Sequence, residues 1–142
     1  MNIKNYLVIE VNDYDLIIKD IDLSKILNKI IFLTGDLGSG KTFFIKKMLN
    51  KMSNFDAVTS PTFGIINTYM TSIGQVYHYD LYRINETSEL EEIGLYDNLE
   101  LEGLHLIEWP EIIPKEFIQP SMIISFQVIN NHRMISIENH DE

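Results

Sequence analysis

Gly35-Asp36-Leu37-Gly38-Ser39-Gly40-Lys41-Thr42 satisfies the spacing G-x-x-x-x-G-K-[ST]. Glycines in such a turn let the backbone wrap closely around phosphates with its N–H groups aimed inward. The helix that follows offers unpaired amides and the positive end of its dipole to an anion. Lys41 brings a point charge for β- and γ-phosphates, and the Thr42 hydroxyl is placed to ligate Mg2+. The implied chemistry is binding of ATP with magnesium. A chance glycine-rich turn is the competing reading, and the context argues against it. The apolar run Lys29–Thr34 reads as a buried strand directly before the turn. Lys41–Met52 reads as an amphipathic helix directly after it, with Phe44, Ile45, Met48, Leu49 and Met52 at three- and four-residue spacing.

A phosphate cradle of this kind needs a carboxylate at the end of a neighbouring strand to hold magnesium, directly or through water. Glu108 ends the apolar run that begins at Leu104, the position of a Walker B acid. Asp80 lies in a strand-like run and either faces water or has a partner, because an unpaired buried carboxylate is costly. It is placed to orient an attacking water or to join the magnesium shell. His78 two residues earlier reads as a histidine with a structural hydrogen bond in preference to a ligand of a separate metal site. Trp109, the only tryptophan, is either a core or rim aromatic or a reporter of nucleotide occupancy. Thr62, in Ser60-Pro61-Thr62-Phe63, is either part of a plain turn or a sensor of the γ-phosphate.

The elements that must position these groups are legible in outline. Tyr6–Val11 reads as a first strand and Asp15–Leu27 as a helix. Phe63–Met70 and Gln75–Tyr82 read as strands around the turn Thr71–Gly74. Ser88 and Glu91 stand at capping-box spacing before a short acidic helix, and Gly94–Glu100 suggests another. Leu104–Glu108 is a buried strand, and Met122–Ile129 with Arg133–Glu138 form a hairpin around Asn130-Asn131. Together these predict a single α/β domain over residues 1–142, of P-loop NTPase type, with a mixed central sheet flanked by helices.

Composition narrows the partners. Eleven basic against 21 acidic residues give a formal net charge of −10, which disfavours direct binding to nucleic acid. Lys46, Lys47 and Lys51 read as a solvated helix face. The absence of cysteine excludes disulfides and thiolate metal sites. The N-terminal residues lack a signal-peptide pattern, and no apolar run approaches the ~20 residues of a membrane span, so a cytoplasmic location is expected.

GDLGSGKT, SPTF, HYDLYR and LIEWPE follow one another in this order. From about Ile30 to Glu111 the combination resembles the TsaE family, the bacterial P-loop ATPases of tRNA threonylcarbamoyladenosine (t6A) biosynthesis. The resemblance implies a small mixed-sheet fold that binds ATP and magnesium, with Thr42 and Glu108 near the metal. It further implies that Asp80 takes part in hydrolysis and that Thr62 lies in a switch-like loop. The implied partners are TsaD and TsaB, which carry out the transfer to tRNA, so that tRNA is met only through the complex. Ser39 stands where the family frequently has alanine, a small-for-small departure.

The alternative in another class is a small-molecule or nucleoside kinase on the same P-loop. Such kinases place arginines on lids over the transferred phosphoryl group. This chain has two arginines, Arg83 and Arg133, and no evident lid. Arg83 either pairs locally with an acid or meets a partner surface. No N-K-x-D follows the P-loop to read guanine. Lys41→Ala is expected to abolish ATP binding or turnover while leaving the circular dichroism spectrum unchanged, and wild-type turnover by that variant would refute the assignment.

Overall fold

The computed structural model describes residues 2–52, the backbone of 56–57, and residues 65–141. Its core is an eight-stranded mixed sheet in the order β1-β8-β7-β2-β6-β5-β4-β3. The strands are β1 (Asn2–Val8), β2 (Ile30–Gly35), β3 (Asp56–Ala57), β4 (Ile66–Thr71), β5 (Gly74–Asp80), β6 (Leu104–Glu108), β7 (Met122–Ile129) and β8 (His132–Asn139). The four helices among the described residues are α1 (Asp13–Asp20), α2 (Lys41–Lys51), α3 (Ser88–Glu92) and α4 (Leu95–Leu99).

The centre is parallel and the flanks are antiparallel. β2 pairs in parallel with β6 on one side and β7 on the other, and β5 pairs in parallel with β6. Hairpins β4/β5 and β7/β8 extend the sheet outward, and β1 closes one edge against β8. Parallel strands must be covered on both faces, and two cores do this. α1 and α2 pack over Ile31, Leu33, Leu106 and Ile124 on one face. Leu90 and Leu95, from α3 and α4, cluster with Tyr79 and Ile107 on the other. All five residues of β6 are buried, which is why its sequence reads as a largely apolar run, interrupted by His105 and ending in one acid.

Several expectations shift. The first strand runs over Asn2–Val8 instead of Tyr6–Val11. The Asp13 carboxylate accepts the Ile9 and Glu10 amides at 2.9 and 3.0 Å, turning the chain out of the sheet and into α1. The helix expected over Asp15–Leu27 stops at Asp20: Ile21 is extended, and Asp22 captures the Ser24 amide to start a separate 3-10 turn, Leu23–Lys25. The capping box at Ser88 and Glu91 does not form, because α3 begins at Ser88 itself and Thr87 before it makes no side-chain cap. The closing hairpin is as expected, with Asn130 and Asn131 both at positive φ in a two-residue turn.

One buried titratable group lies within the second core. The Nδ1 of His105 accepts from the Tyr79 hydroxyl at 2.8 Å, and its Nε2–H donates to the Leu101 carbonyl at 2.9 Å. Tyr77 stacks on the ring at 4.7 Å. Burial, partly offset by the Leu101 bond, pushes the His105 pKa below its usual 6.5. The folded state therefore takes up this proton less readily than the unfolded chain. Its contribution to stability is complete above the unfolded pKa and is lost as pH falls through it. The urea midpoint is expected to drop between about pH 7.5 and about pH 5, with a shallower slope in His105→Gln. Identical slopes would contradict the buried neutral ring.

Candidate active site

The strand-to-helix turn is built by backbone conformations that side chains resist. Gly35 (φ +144), Gly38 (φ +80) and Gly40 (φ +108) all have positive φ, and a Cβ on Gly35 would lie 2.6 Å from the Phe126 carbonyl oxygen. α2 then starts at Lys41, and its first-turn amides have no helical acceptor. Within the loop, the Ser39 amide donates to the Asp36 carbonyl at 3.1 Å.

Register brings the predicted side chains to one end of the sheet. Asp80 on β5 stands opposite Glu108 on β6, both at the carboxyl ends of their strands and next to the turn after β2. Thr42 Oγ1 donates to the Glu108 carboxylate, 2.9 Å from Oε1 and 3.1 Å from Oε2. The His78 Nε2–H donates to Oε2 of the same carboxylate at 2.6 Å. Glu108 is 2% exposed, so this buried acid is held by two side-chain donors. The Asp80 Oδ1 accepts from the Tyr82 amide at 3.1 Å, which fixes its carboxylate at the mouth of the site.

Lys41 is buried at 4% exposure. Its Nζ donates to the Gly35 carbonyl and lies 3.6 Å from the centroid of the Trp109 ring. Desolvation lowers the Lys41 pKa, opposed by Glu108, Glu111, Asp80 and Asp36. Trp109 has a left-handed backbone (φ 59, ψ 51), which aims its ring at the lysine and at Tyr82, 5.0 Å away.

A cleft of about 510 Å3 joins these groups; Leu37, Gly38, Gly40, Lys41, Thr42, Asp80, Glu108 and Trp109 line it. Gly35 is tied in through Lys41, while Asp36 and Ser39 complete the loop. The cleft also has walls that sequence reasoning missed: Val11, Tyr14, Phe43, Tyr82 and Arg133. None was singled out as a ligand of the site. Arg133 comes from β8, 94 residues from Ser39 in the chain, so no local spacing announces it.

Thr62 and the rest of Ser60–Phe63 lie outside the described residues. Ser39 is more than a small filler, since it is 2% exposed and its hydroxyl has no hydrogen-bond partner among the described residues. His78 has the structural hydrogen bond, and no group of three metal-ligating side chains occurs among the described residues. Lys51 pairs with Asp15 across α1 and α2, consistent with a solvated face. Arg83 is exposed, and the local ion pair expected for it is not among the ion pairs of the described residues. No helix among the described residues is long and apolar enough to cross a membrane.

With the geometry in view, the comparisons with known proteins are specific. Residues 11–136 match the family model described as threonylcarbamoyl adenosine biosynthesis protein TsaE. The chain is 40% identical over 112 residues to the tRNA threonylcarbamoyladenosine biosynthesis protein TsaE of Rickettsia felis, covering 78% of this chain and 65% of that one. The match thus spans just under two thirds of that relative. The protein of the same name from Borreliella burgdorferi is 34% identical over 116 residues, covering 78% of this chain and 82% of that one. The crystal structure of Bacillus subtilis YdiB superimposes with a TM-score of 0.72 at 24% identity, covering 97% of this chain and 86% of that one, a likeness of fold.

The glycine geometry separates two substitutions. Gly38 has open space around a Cβ, so Gly38→Ala costs only left-handed strain, about 1–2 kcal/mol. Gly35→Ala adds a collision with the Phe126 carbonyl and is expected to cost roughly 1–3 kcal/mol more. Urea denaturation of both variants checks the order.

Proposed function

The chain belongs to the TsaE family of threonylcarbamoyl adenosine biosynthesis proteins, and on that premise we propose that it is a magnesium-dependent ATPase serving t6A modification of tRNA together with TsaB and TsaD. The observation that carries this reading is the meeting of Lys41, Thr42, Glu108 and Asp80 around a glycine turn at the carboxyl ends of β2, β5 and β6.

The residues present fit the ligands. Thr42 and Glu108 offer hard oxygen donors of the kind magnesium prefers. A hydroxyl that donates to Glu108 keeps its lone pairs for a cation, so the Thr42–Glu108 bond suits a direct Thr42 ligand with Glu108 behind it. The buried Ser39 hydroxyl, lacking a partner among the described residues, suits a loop that closes on a polar ligand. Magnesium, when bound, offsets negative charge on the β- and γ-phosphates.

The chain's own residues divide the remaining work. The amides at the start of α2 receive the phosphates. Lys41 exchanges the Gly35 carbonyl and the Trp109 ring for phosphate oxygens. Asp80, held by the Tyr82 amide, orients water toward the γ-phosphate. His78 keeps the Glu108 carboxylate in one orientation. Trp109 rests against the lysine that moves, so its fluorescence responds to nucleotide.

The kinase alternative gains nothing from the arginines: Arg133 bonds the P-loop backbone, and Arg83 lies on the exposed surface. Partner dependence follows from family membership.

The test is phosphate release from Mg-ATP by this chain alone and with TsaB–TsaD. Release stimulated by the partners is expected, with Asp80→Asn slowing it about 10²-fold or more while ATP affinity stays near wild type. Release that requires a small hydroxylated acceptor would favour the kinase, and no release under any condition would leave a regulatory nucleotide-binding module.

A further inference from the structure

Arg133 lies near the start of β8, just after the Asn130-Asn131 turn, and reaches back to the phosphate loop. Its Nε donates to the Ser39 carbonyl at 3.0 Å and its Nη2 to the Gly38 carbonyl at 3.4 Å. The packing is close: a Cβ on Gly40 would lie 3.1 Å from Nε and 3.3 Å from Cδ. A guanidinium is a planar fork of charged donors, which suits two neighbouring carbonyls better than a flexible ammonium would.

These bonds constrain the loop amides. The peptide between Ser39 and Gly40 is trans, so the N–H of Gly40 points opposite to the C=O of Ser39. Holding the Ser39 carbonyl toward Arg133 therefore holds the Gly40 N–H away from it. Glycine at this position would otherwise let the peptide plane rotate freely. We propose that Arg133 is a positioning residue that clasps the outside of the phosphate loop, fixing the orientation of the amides that receive the phosphates. The inference rests on the nucleotide-binding reading of this cleft. The closing hairpin thereby acquires a role beyond extending the sheet, since β8 carries a clasp for a loop built almost a hundred residues earlier.

A direct contact with the nucleotide base is the competing role, because Arg133 also lines the cleft beside Tyr14. Calorimetric titration separates the two. The full chain, R133A and R133K are titrated with Mg-ATP and with Mg-tripolyphosphate, which has no base, alongside thermal melting. R133A is expected to weaken both ligands to a similar degree, about tenfold, at a temperature where it is fully folded. R133K is expected to fall between, since lysine keeps the charge and loses the fork. Wild-type affinity of R133A for both ligands would overturn the clasp. A loss confined to ATP would also overturn it and assign Arg133 to the base. If R133A does not fold, R133K decides: equal weakening toward both ligands supports the clasp, and wild-type affinity overturns it. Failure of the wild-type chain to bind either ligand would bring down the nucleotide reading and the clasp with it.

Discussion

A strand covered on both faces, a five-residue turn and the start of a helix meet at Gly35–Thr42, and the rest of the molecule serves that junction. The first amides of α2 have no carbonyl to bond within the helix. Buried without partners, such groups would destabilise the fold; presented to a cleft, they become donors for an anion. The sheet keeps the junction rigid because β2 is a central strand, paired in parallel on both edges. α1 and α2 then fix the helix end from one side through the core around Phe44 and Met48.

Electrostatics completes what the backbone begins. Glu108 collects the Thr42 hydroxyl and the His78 ring, so the one acid at the end of β6 is held by two donors. Lys41 is kept between the Gly35 carbonyl and the Trp109 ring, and that ring is aimed by a left-handed backbone costing about 1–2 kcal/mol in a bulky residue. Both holds on the lysine are replaceable: a carbonyl and an aromatic face are weaker partners for an ammonium than phosphate oxygens. A site that holds its cation in reserve is suited to a ligand that arrives and leaves.

Much of this is legible from residue order alone. The P-loop, the buried strands around it, the amphipathic α2 and the Asn-Asn hairpin all follow from local rules, and the structure reproduces them. Asp80 and Glu108 are recognisable as strand-end acids, and their register puts them side by side. What escapes such reading is decided by single side chains or by tertiary assembly. Asp13 and Asp22 capture nearby amides, ending the first strand at Val8 and separating the first helix from the 3-10 turn after it. β3 is only two residues long and leaves no periodic trace. The pairing of β1 with β8, and the pairing of β7 with β2 that brings β8 and Arg133 near the loop, join strands far apart in the chain. Ser39 reads as interchangeable with alanine, yet its hydroxyl is buried in the loop.

If the loop and the start of α2 grip a magnesium-bound triphosphate, a crystal structure of this chain with magnesium and a non-hydrolysable ATP analogue will show it. The phosphates are expected on the Gly35–Thr42 turn, with the metal beside Thr42. Lys41 Nζ is expected to have left the Gly35 carbonyl and Trp109 to contact them. A nucleotide bound elsewhere, or Lys41 still on Gly35 with the turn empty, would contradict that grip.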